Sequence, residues 1–452
     1  MLNLTLFIVS YLGGFIMAFT SHTAWAFMLY QFIYFMNPLG RWWSYMIPSI
    51  SYSFFTVILM LIVFTWKLKE HSQNRLMAAP QFKWIFMIAA GYAIASGYAS
   101  LPSVHSDATI NFIKMVVILS VAYKLVDTSN KLDGILYAYI AGTAYIGYLA
   151  YQVGRDSTGR VEGIGTVDAP DSNGIAAAIA PSAVLCLYFF WIHNKKLAKF
   201  SIAVAGAFIA NAIVLINSRA SFLAIIGGNL YFLAYMFFSS HQRTNQKSSA
   251  VAVVFMGLIA ASFLIDQTAI ERFLSIKEQE MTEEQQTGAT RVFFWIAAMD
   301  MAKDHPFGAG AAGFEAHAPE YLPEDMDTGF SRNRSVHSTW FEALTDLGYP
   351  GIFMLIMLLY SSFWATRQTK KELARRKDFD NYYKVVAIEG ALISFIIAMS
   401  FMNRFRAELL YWCVLFTACA YNIYVVKQIA EEEPANSRRR VRQTRSPQLK
   451  GS

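Results

Sequence analysis

The chain has 452 residues, 55% hydrophobic and only 15% charged, with a formal net charge of +7. A soluble domain carries about a quarter charged residues, so a soluble globular protein is excluded. The 3 cysteines, Cys186, Cys413 and Cys419, lie in apolar blocks with no CxxC or Cys/His cluster, so neither a disulfide framework nor a metal motif can be read.

The apolar residues come in blocks close to the ~20 residues that cross a bilayer as helix. Lipid cannot satisfy backbone N–H and C=O groups, so such blocks must be helical. The short alternating runs of a membrane barrel are absent. The predicted fold is therefore all-α: a polytopic membrane protein of about 12–13 transmembrane helices with one large structured extracytoplasmic loop. In chain order the spans are predicted near 2–18, 22–37, 48–66, 84–101, 108–125, 134–152, 174–192, 200–216, 220–238, 250–266, 348–365, 385–402 and 408–426. The first two are closely spaced, and the lower count applies if they make one crossing. No Lys or Arg precedes Arg41, so the first block lacks the basic region of a cleavable signal peptide and is expected to be a retained helix.

Positive charge is sorted by side. Lys67, Lys69, Arg75 and Lys83 lie in one loop, and Lys195, Lys196 and Lys199 in another. Arg243 and Lys247 lie in a third, Arg367 to Lys384 forms a fourth, and the tail from Arg438 to Lys450 is basic too. Alternating the spans puts all of these on one side, which the positive-inside rule makes cytoplasmic. The opposite side then holds a Gly- and Asp-rich loop near 153–173 and a long acidic segment near 267–340 carrying Glu271, Glu278, Glu280, Glu283, Glu284, Glu324, Asp325 and Asp327. The expected organisation is N-terminal transmembrane helices over 1–266, this loop over 267–340, C-terminal helices over 341–430, and a basic, disordered tail over 431–452. Within the loop, Thr290 to Lys303 reads as an amphipathic helix, with Phe293, Phe294, Ile296, Ala297 and Met301 lining one side, Trp295 suited to an interface, and Pro306 as its stop.

Three features on the loop side could carry chemistry. Arg219 sits between two apolar blocks, where an Arg is costly unless it meets an anion or a polar cavity, or else snorkels from a helix end. Arg291 opens the amphipathic loop helix; it is either a solvated helix-end charge or, with Arg219, part of a diphosphate site, since guanidinium stays charged and binds phosphate bidentately. His337 lies just before the next span, where an imidazole could take a proton from a hydroxyl, although a His at a helix start is more often structural. Arg332 and Arg334, close before it, read either as additional anion-binding residues or as solvated loop charges, and whether Glu342 faces His337 is open. Gly308-Ala-Gly310-Ala-Ala-Gly313 is literally GxGxxG, but without a strand–turn–helix unit around it we read it as a flexible turn.

These residues resemble the O-antigen ligase and polymerase superfamily. His337-Ser338, nine residues, then Gly348-x-x-Gly351 is similar to the family's most specific pattern, and Arg219-x-x-x-Leu223 resembles its helix-end Arg element. Thr290-Arg291 through Trp295, then His305-Pro306-Phe307-Gly308-x-Gly310 and Phe314, resembles the stretch before the family's catalytic His. Asp168 to Asn173 resembles a short acidic-Asn element of relatives, and Tyr34 to Pro38 resembles a subgroup of O-glycosylation ligases associated with exosortase systems. The strong resemblance covers about 210–355.

The resemblance implies a membrane glycosyltransferase in the bacterial inner membrane, with its active site facing the periplasm. It moves a glycan from undecaprenyl diphosphate to a lipid A core, protein or glycan acceptor, by inversion and without metal, cofactor or nucleic acid. Arg219 and Arg291 would hold the diphosphate, with Arg332 and Arg334 adding to the anion site, and His337 would orient or deprotonate the acceptor hydroxyl. A polymerase of the same superfamily shares this chemistry. A transporter would instead place ionisable groups near the bilayer midplane, where the candidates are only Lys114, Lys124 and Glu389.

Overall fold

The computed structural model describes residues 2–157, 159–264, 288–324, 326 and 331–429. The run from Glu271 to Glu284, together with Asp325, Asp327 and the 431–452 tail, lies outside them.

Every described element is helical. In chain order the principal helices are α1 (Leu2–Thr20), α2 (Trp25–Met36), α3 (Tyr52–Trp66), α4 (Gln81–Ala95), α5 (Pro102–Leu125), α6 (Ser129–Val153), α7 (Ser172–Ile192), α8 (Lys196–Ile216), α9 (Arg219–Phe238), α10 (Gln246–Leu264), α11 (Gly288–Asp304), α12 (Gly313–Tyr321), α13 (Thr339–Arg375), α14 (Phe379–Met399) and α15 (Glu408–Tyr421). Each of the thirteen predicted segments falls on one of these helices. Among the described residues, 8 helices are long and apolar enough to cross a membrane, or 9 if α3 and the following turns, bent by 87°, count as one broken span. The protein is a multi-pass membrane protein. α2 (12 residues) and α4 (15 residues) are shorter than the ~20 residues that span a bilayer unaided.

The helices alternate between two ends, and hydrogen bonds tie each end together. At the basic end, Arg243 pairs with Asp380 at 2.9 Å and Lys384 with Asp133 at 2.6 Å. Asn74 there donates to Lys124 O at 2.9 Å. At the other end, Asn37 donates to Gly165 O at 3.0 Å, and the Ser100 amide donates to Ala309 O at 2.9 Å. Of the basic clusters predicted to share a side, the four that lie among the described residues do so, at 67–83, 195–199, 243–247 and 367–384. α14 and α15 are almost wholly buried, so they form the centre, while α8 and α9 leave most of their surface outward.

Glu389 does not stand alone in this centre. It pairs with Lys370 and accepts from Tyr231, and Thr366 donates to it at 2.9 Å. Lys124 lies at the basic end of α5.

The loop-side segment is anchored by a break in α13. Gly348 has φ 67°, so the helix cannot continue through it. The break frees the Thr345 and Asp346 carbonyls, and the amides of Ala309 and Gly310 donate to them at 2.9 Å each. The Tyr349 amide donates to Pro306 O at 2.9 Å. A Cβ at Gly348 would sit 2.0 Å from Pro306 O, and one at Gly351 would sit 2.3 Å from Ala343 O. The Gly-x-x-Gly spacing is thus explained by steric contact at both positions. The GxGxxG run is a turn, with Gly308 and Gly310 at positive φ, but it is pinned rather than flexible: the Ala311 amide also donates to His105 Nδ1 at 2.9 Å. His105 Nε2 then faces Tyr92 O at 2.8 Å, and Tyr92 Oη donates to Asp346 at 2.9 Å.

α11 is helical as predicted, but its faces divide differently. Phe294, Ala297, Ala298 and Met301 are buried with Phe314, Ala318 and Val336 in a small core of their own. Phe293 and Ile296 point outward, at 49% and 46% exposed. Trp295 does not lie free at an interface; it stacks on Phe341 with ring centroids 5.6 Å apart.

Gly348→Ala should destabilise the protein by more than the ~1–2 kcal/mol of left-handed backbone strain alone, because the clash adds to it. Thermal unfolding in detergent is expected to shift down by several degrees, and an unchanged midpoint would contradict the anchoring role of this break.

Candidate active site

The α8–α9 turn places Arg219. Asn217 caps α8 in the left-handed conformation (φ 58°), which Asn tolerates, and Ser218 precedes α9. Arg219 is therefore the first residue of α9, at the loop end of the bundle, where helix N–H groups point outward.

Two more arginines reach the same region. Arg291, near the start of α11, donates to Phe401 O at 3.3 Å. Burial, and then the charges of Arg219 and Arg160, lower its pKa. Arg160, from the Gly-rich loop after α6, donates to Asn173 at 2.7 Å and has its own pKa lowered by burial. The Nε atoms of Arg160 and Arg291 are buried without a hydrogen-bond partner among the described residues. Three half-buried guanidinium groups that feel one another's charge are gathered here. Like charges at this range are unfavourable, and a polyanion would relieve them.

His337 stands beside this cluster. Its backbone has φ 52°, rare for a non-glycine residue, and neighbours hold it there. The Ser338 amide donates to Asn403 Oδ1 at 3.1 Å, while Asn403 Nδ2 donates to Ser335 Oγ at 2.6 Å. Thr339 Oγ1 donates to Met402 O at 2.7 Å and accepts from the Arg404 amide at 2.9 Å. Burial first, and then the Arg291 charge, lower the His337 pKa to about 4; Asp171 pulls the other way and Arg334 adds to the lowering. The imidazole is therefore neutral at pH 7 and able to accept a proton.

The other expected site residues divide. Arg334 is near enough for its charge to act on His337. Arg332 is turned away: it donates to Leu322 O at 2.7 Å, Pro323 O at 3.0 Å and Glu324 O at 3.3 Å, closing the free carbonyls beyond α12. Glu342 does not serve His337 but clamps the 400–407 segment, accepting from the Phe405 amide at 2.9 Å and from Arg406 at 3.2 Å.

Residues not singled out from sequence complete the site. Arg404 donates to Asp168 O at 2.7 Å and pairs with Asp171 at 3.0 Å. It passes so close to α7 that a Cβ at Gly174 would lie 1.7 Å from its guanidinium. Arg160 lies in a loop far along the chain from the one that holds both Arg404 and Arg406. The only signal near them was the Asp168 to Asn173 element, and nothing in sequence said which charges it would meet. A cavity of about 990 Å³ bounded by Ser335, Asn403 and Arg404 opens between α3 and α5.

Replacing Asn403 with Ala should free Ser338 and Ser335 together. Hydrogen–deuterium exchange over 335–338 is expected to rise about tenfold, the effect of losing ~1.4 kcal/mol of hydrogen bonding. Unchanged protection would mean that other contacts hold His337.

Comparison with known proteins identifies the type of domain. Residues 204–356 match the family described as O-antigen ligase. Over 313 residues the chain is 23% identical to the exopolysaccharide production protein ExoQ of Rhizobium meliloti (strain 1021), covering 66% of this chain and 67% of that protein. The chain carries an O-antigen ligase family domain, and the matched segment contains Arg219, Arg291, Arg332, Arg334 and His337.

Proposed function

We propose that this O-antigen ligase family protein transfers a glycan from undecaprenyl diphosphate to an acceptor hydroxyl at the loop end of the helical bundle. The observation that carries this reading is the meeting of Arg160, Arg219 and Arg291 beside a neutral His337. The basic loops at the opposite end support a cytoplasmic position for them, and with it a reading of the site as facing outward from the bacterial inner membrane.

The acceptor oxygen attacks the anomeric carbon from the face opposite the diphosphate. The carbon–oxygen bond to the diphosphate breaks, and its electron pair leaves with the phosphate. The hydroxyl proton passes to His337 and from there to solvent. One bond forms, one breaks, and the anomeric centre inverts. Charge grows on the leaving diphosphate, and the arginines stabilise it because they are ordered before the reaction begins. The bound diphosphate in turn offsets the Arg291 charge that depresses His337. The imidazole thus becomes a stronger base once the donor is present.

The acceptor is a lipid-borne core, a protein or a second glycan. The likeness to an exopolysaccharide production protein favours a reading in which the acceptor is a growing glycan and the protein acts as a polymerase. Transport gains less support: Glu389 is paired with Lys370, and the arginines gather at one end of the bundle.

With purified protein in nanodiscs and undecaprenyl-diphosphate glycans, Arg219→Ala and Arg291→Ala should each slow release of undecaprenyl diphosphate by ~10²–10³-fold. His337→Ala should slow it by ~10²–10⁴-fold. Folded variants that turn over at the wild-type rate would rule this site out. In wild type, kcat/KM reports the free enzyme and should stay level down to about pH 5, then fall through the His337 pKa of about 4 as the imidazole is protonated. The acid limb of kcat should lie at higher pH, because the bound diphosphate offsets the Arg291 charge.

A further inference from the structure

We infer that a pocket at the basic end, between α9, α13 and α14, holds the phosphate headgroup of an anionic phospholipid. The inference does not depend on the glycosyl-transfer reading, because the pocket lies at the opposite end of the bundle from Arg219 and His337.

Three helices build the pocket. Arg367, Lys370 and Lys371 reach it from α13, Tyr235 from the last turn of α9, and Tyr382 and Glu389 from α14. His241, from the turn after α9, stacks on Phe379 with ring centroids 5.5 Å apart, which holds its ring in the wall. The cavity encloses about 410 Å³, room for a phosphate and the glycerol it carries.

The charge of the pocket depends on which of these groups are already paired. The buried Lys370 ammonium pairs with Glu389 and donates to Tyr235 Oη at 3.1 Å. Glu389 also accepts from Tyr231, and from Thr366 at 2.9 Å, so its carboxylate is satisfied and offsets Lys370. The next acidic side chains on these helices are committed too, Asp380 to Arg243 at 2.9 Å and Glu372 to Arg375 at 2.6 Å. Arg367 and Lys371 are exposed and, among the described residues, have no hydrogen-bond or ion-pair partner. Their positive charge is therefore in surplus above a neutral floor. Guanidinium grips phosphate oxygens through paired N–H groups, and the ammonium adds a point charge.

A free phosphate would meet the same charges, but the surface leading to the pocket favours a lipid. On α13, Phe353, Ile356, Tyr360 and Trp364 precede Arg367 and Lys371 at three- and four-residue spacing, so all six share one helix face. The first four are exposed on the outside of the bundle, and Phe363 carries the apolar surface into the pocket. An acyl chain can lie along this stripe, with Tyr360 and Trp364 at the depth where aromatic rings settle and the cations at headgroup level. A soluble anion gains nothing from the stripe.

The full chain in nanodiscs of phosphatidylcholine, with and without phosphatidylglycerol, tests this by native mass spectrometry and thermal unfolding. Wild type should retain phosphatidylglycerol and unfold at a higher temperature in its presence. Arg367→Gln combined with Lys371→Gln should lower that retention about tenfold. Ala374→Trp fills the pocket, keeps every charge and should do the same. Lys195→Gln combined with Lys196→Gln removes two exposed basic-end charges outside the pocket and should leave retention at the wild-type level. As a check independent of variant folding, phosphatidylglycerol with a photoreactive headgroup should crosslink in wild type to peptides holding 235–241 or 367–374. Crosslinks confined to other basic loops, or equal losses in the two double variants, would reduce the site to a diffuse basic surface and overturn the proposal. Stabilisation by inorganic phosphate in phosphatidylcholine nanodiscs, equal to that by phosphatidylglycerol, would assign the pocket to a soluble anion and overturn it as well.

Discussion

Where α13 breaks at Gly348, two backbone carbonyls in a dry setting need donors, and the 306–310 turn supplies them. An unpaired buried carbonyl costs ~1–3 kcal/mol, so break and turn specify each other. This exchange joins a loop-side segment with its own small core to the membrane bundle. It fixes α11 with Arg291 on one side and the start of α13 with His337 on the other. Without it, the arginine and the histidine would sit on independently moving pieces.

Electrostatics then sorts the surface above the bundle. Arg160, Arg219 and Arg291 feel one another's charge, while Arg404 and Arg406 are each tied to a carboxylate. The second group holds the 400–407 segment in place. Burial, and then the Arg291 charge, keep the His337 imidazole neutral.

The basic end follows a different rule. Its charges are paired between helices, as in Arg243–Asp380 and Lys384–Asp133, and they cross-tie neighbouring loops. Lys370 and Glu389 form a buried pair with Tyr231 and Thr366 around them, so neither charge is left alone. Among the described residues these charges are thus paired, while Arg160, Arg219, Arg291 and His337 gather at the opposite end.

The all-helical fold, the segments that became helices and the sorting of basic loops were legible in the sequence, because bilayer thickness and backbone hydrogen bonding act on each segment separately. Arg219, Arg291 and His337 were legible too, each beside a helix boundary with a recognisable local pattern. Which face of α11 is buried was not, since Phe293 and Phe294 are chemically alike and only contact with Phe314 and Val336 distinguishes them. Nor could sequence separate Arg332 from Arg334. Both are loop arginines near His337, and the difference is that open carbonyls beyond α12 lie within reach of one of them. Arg160, Arg404 and the cavity arise from loops more than two hundred residues apart. Charge meeting charge across such distances is decided by packing, so the sequence determined the membrane fold and the chemistry available, while only the tertiary structure decided which of those charges face one another.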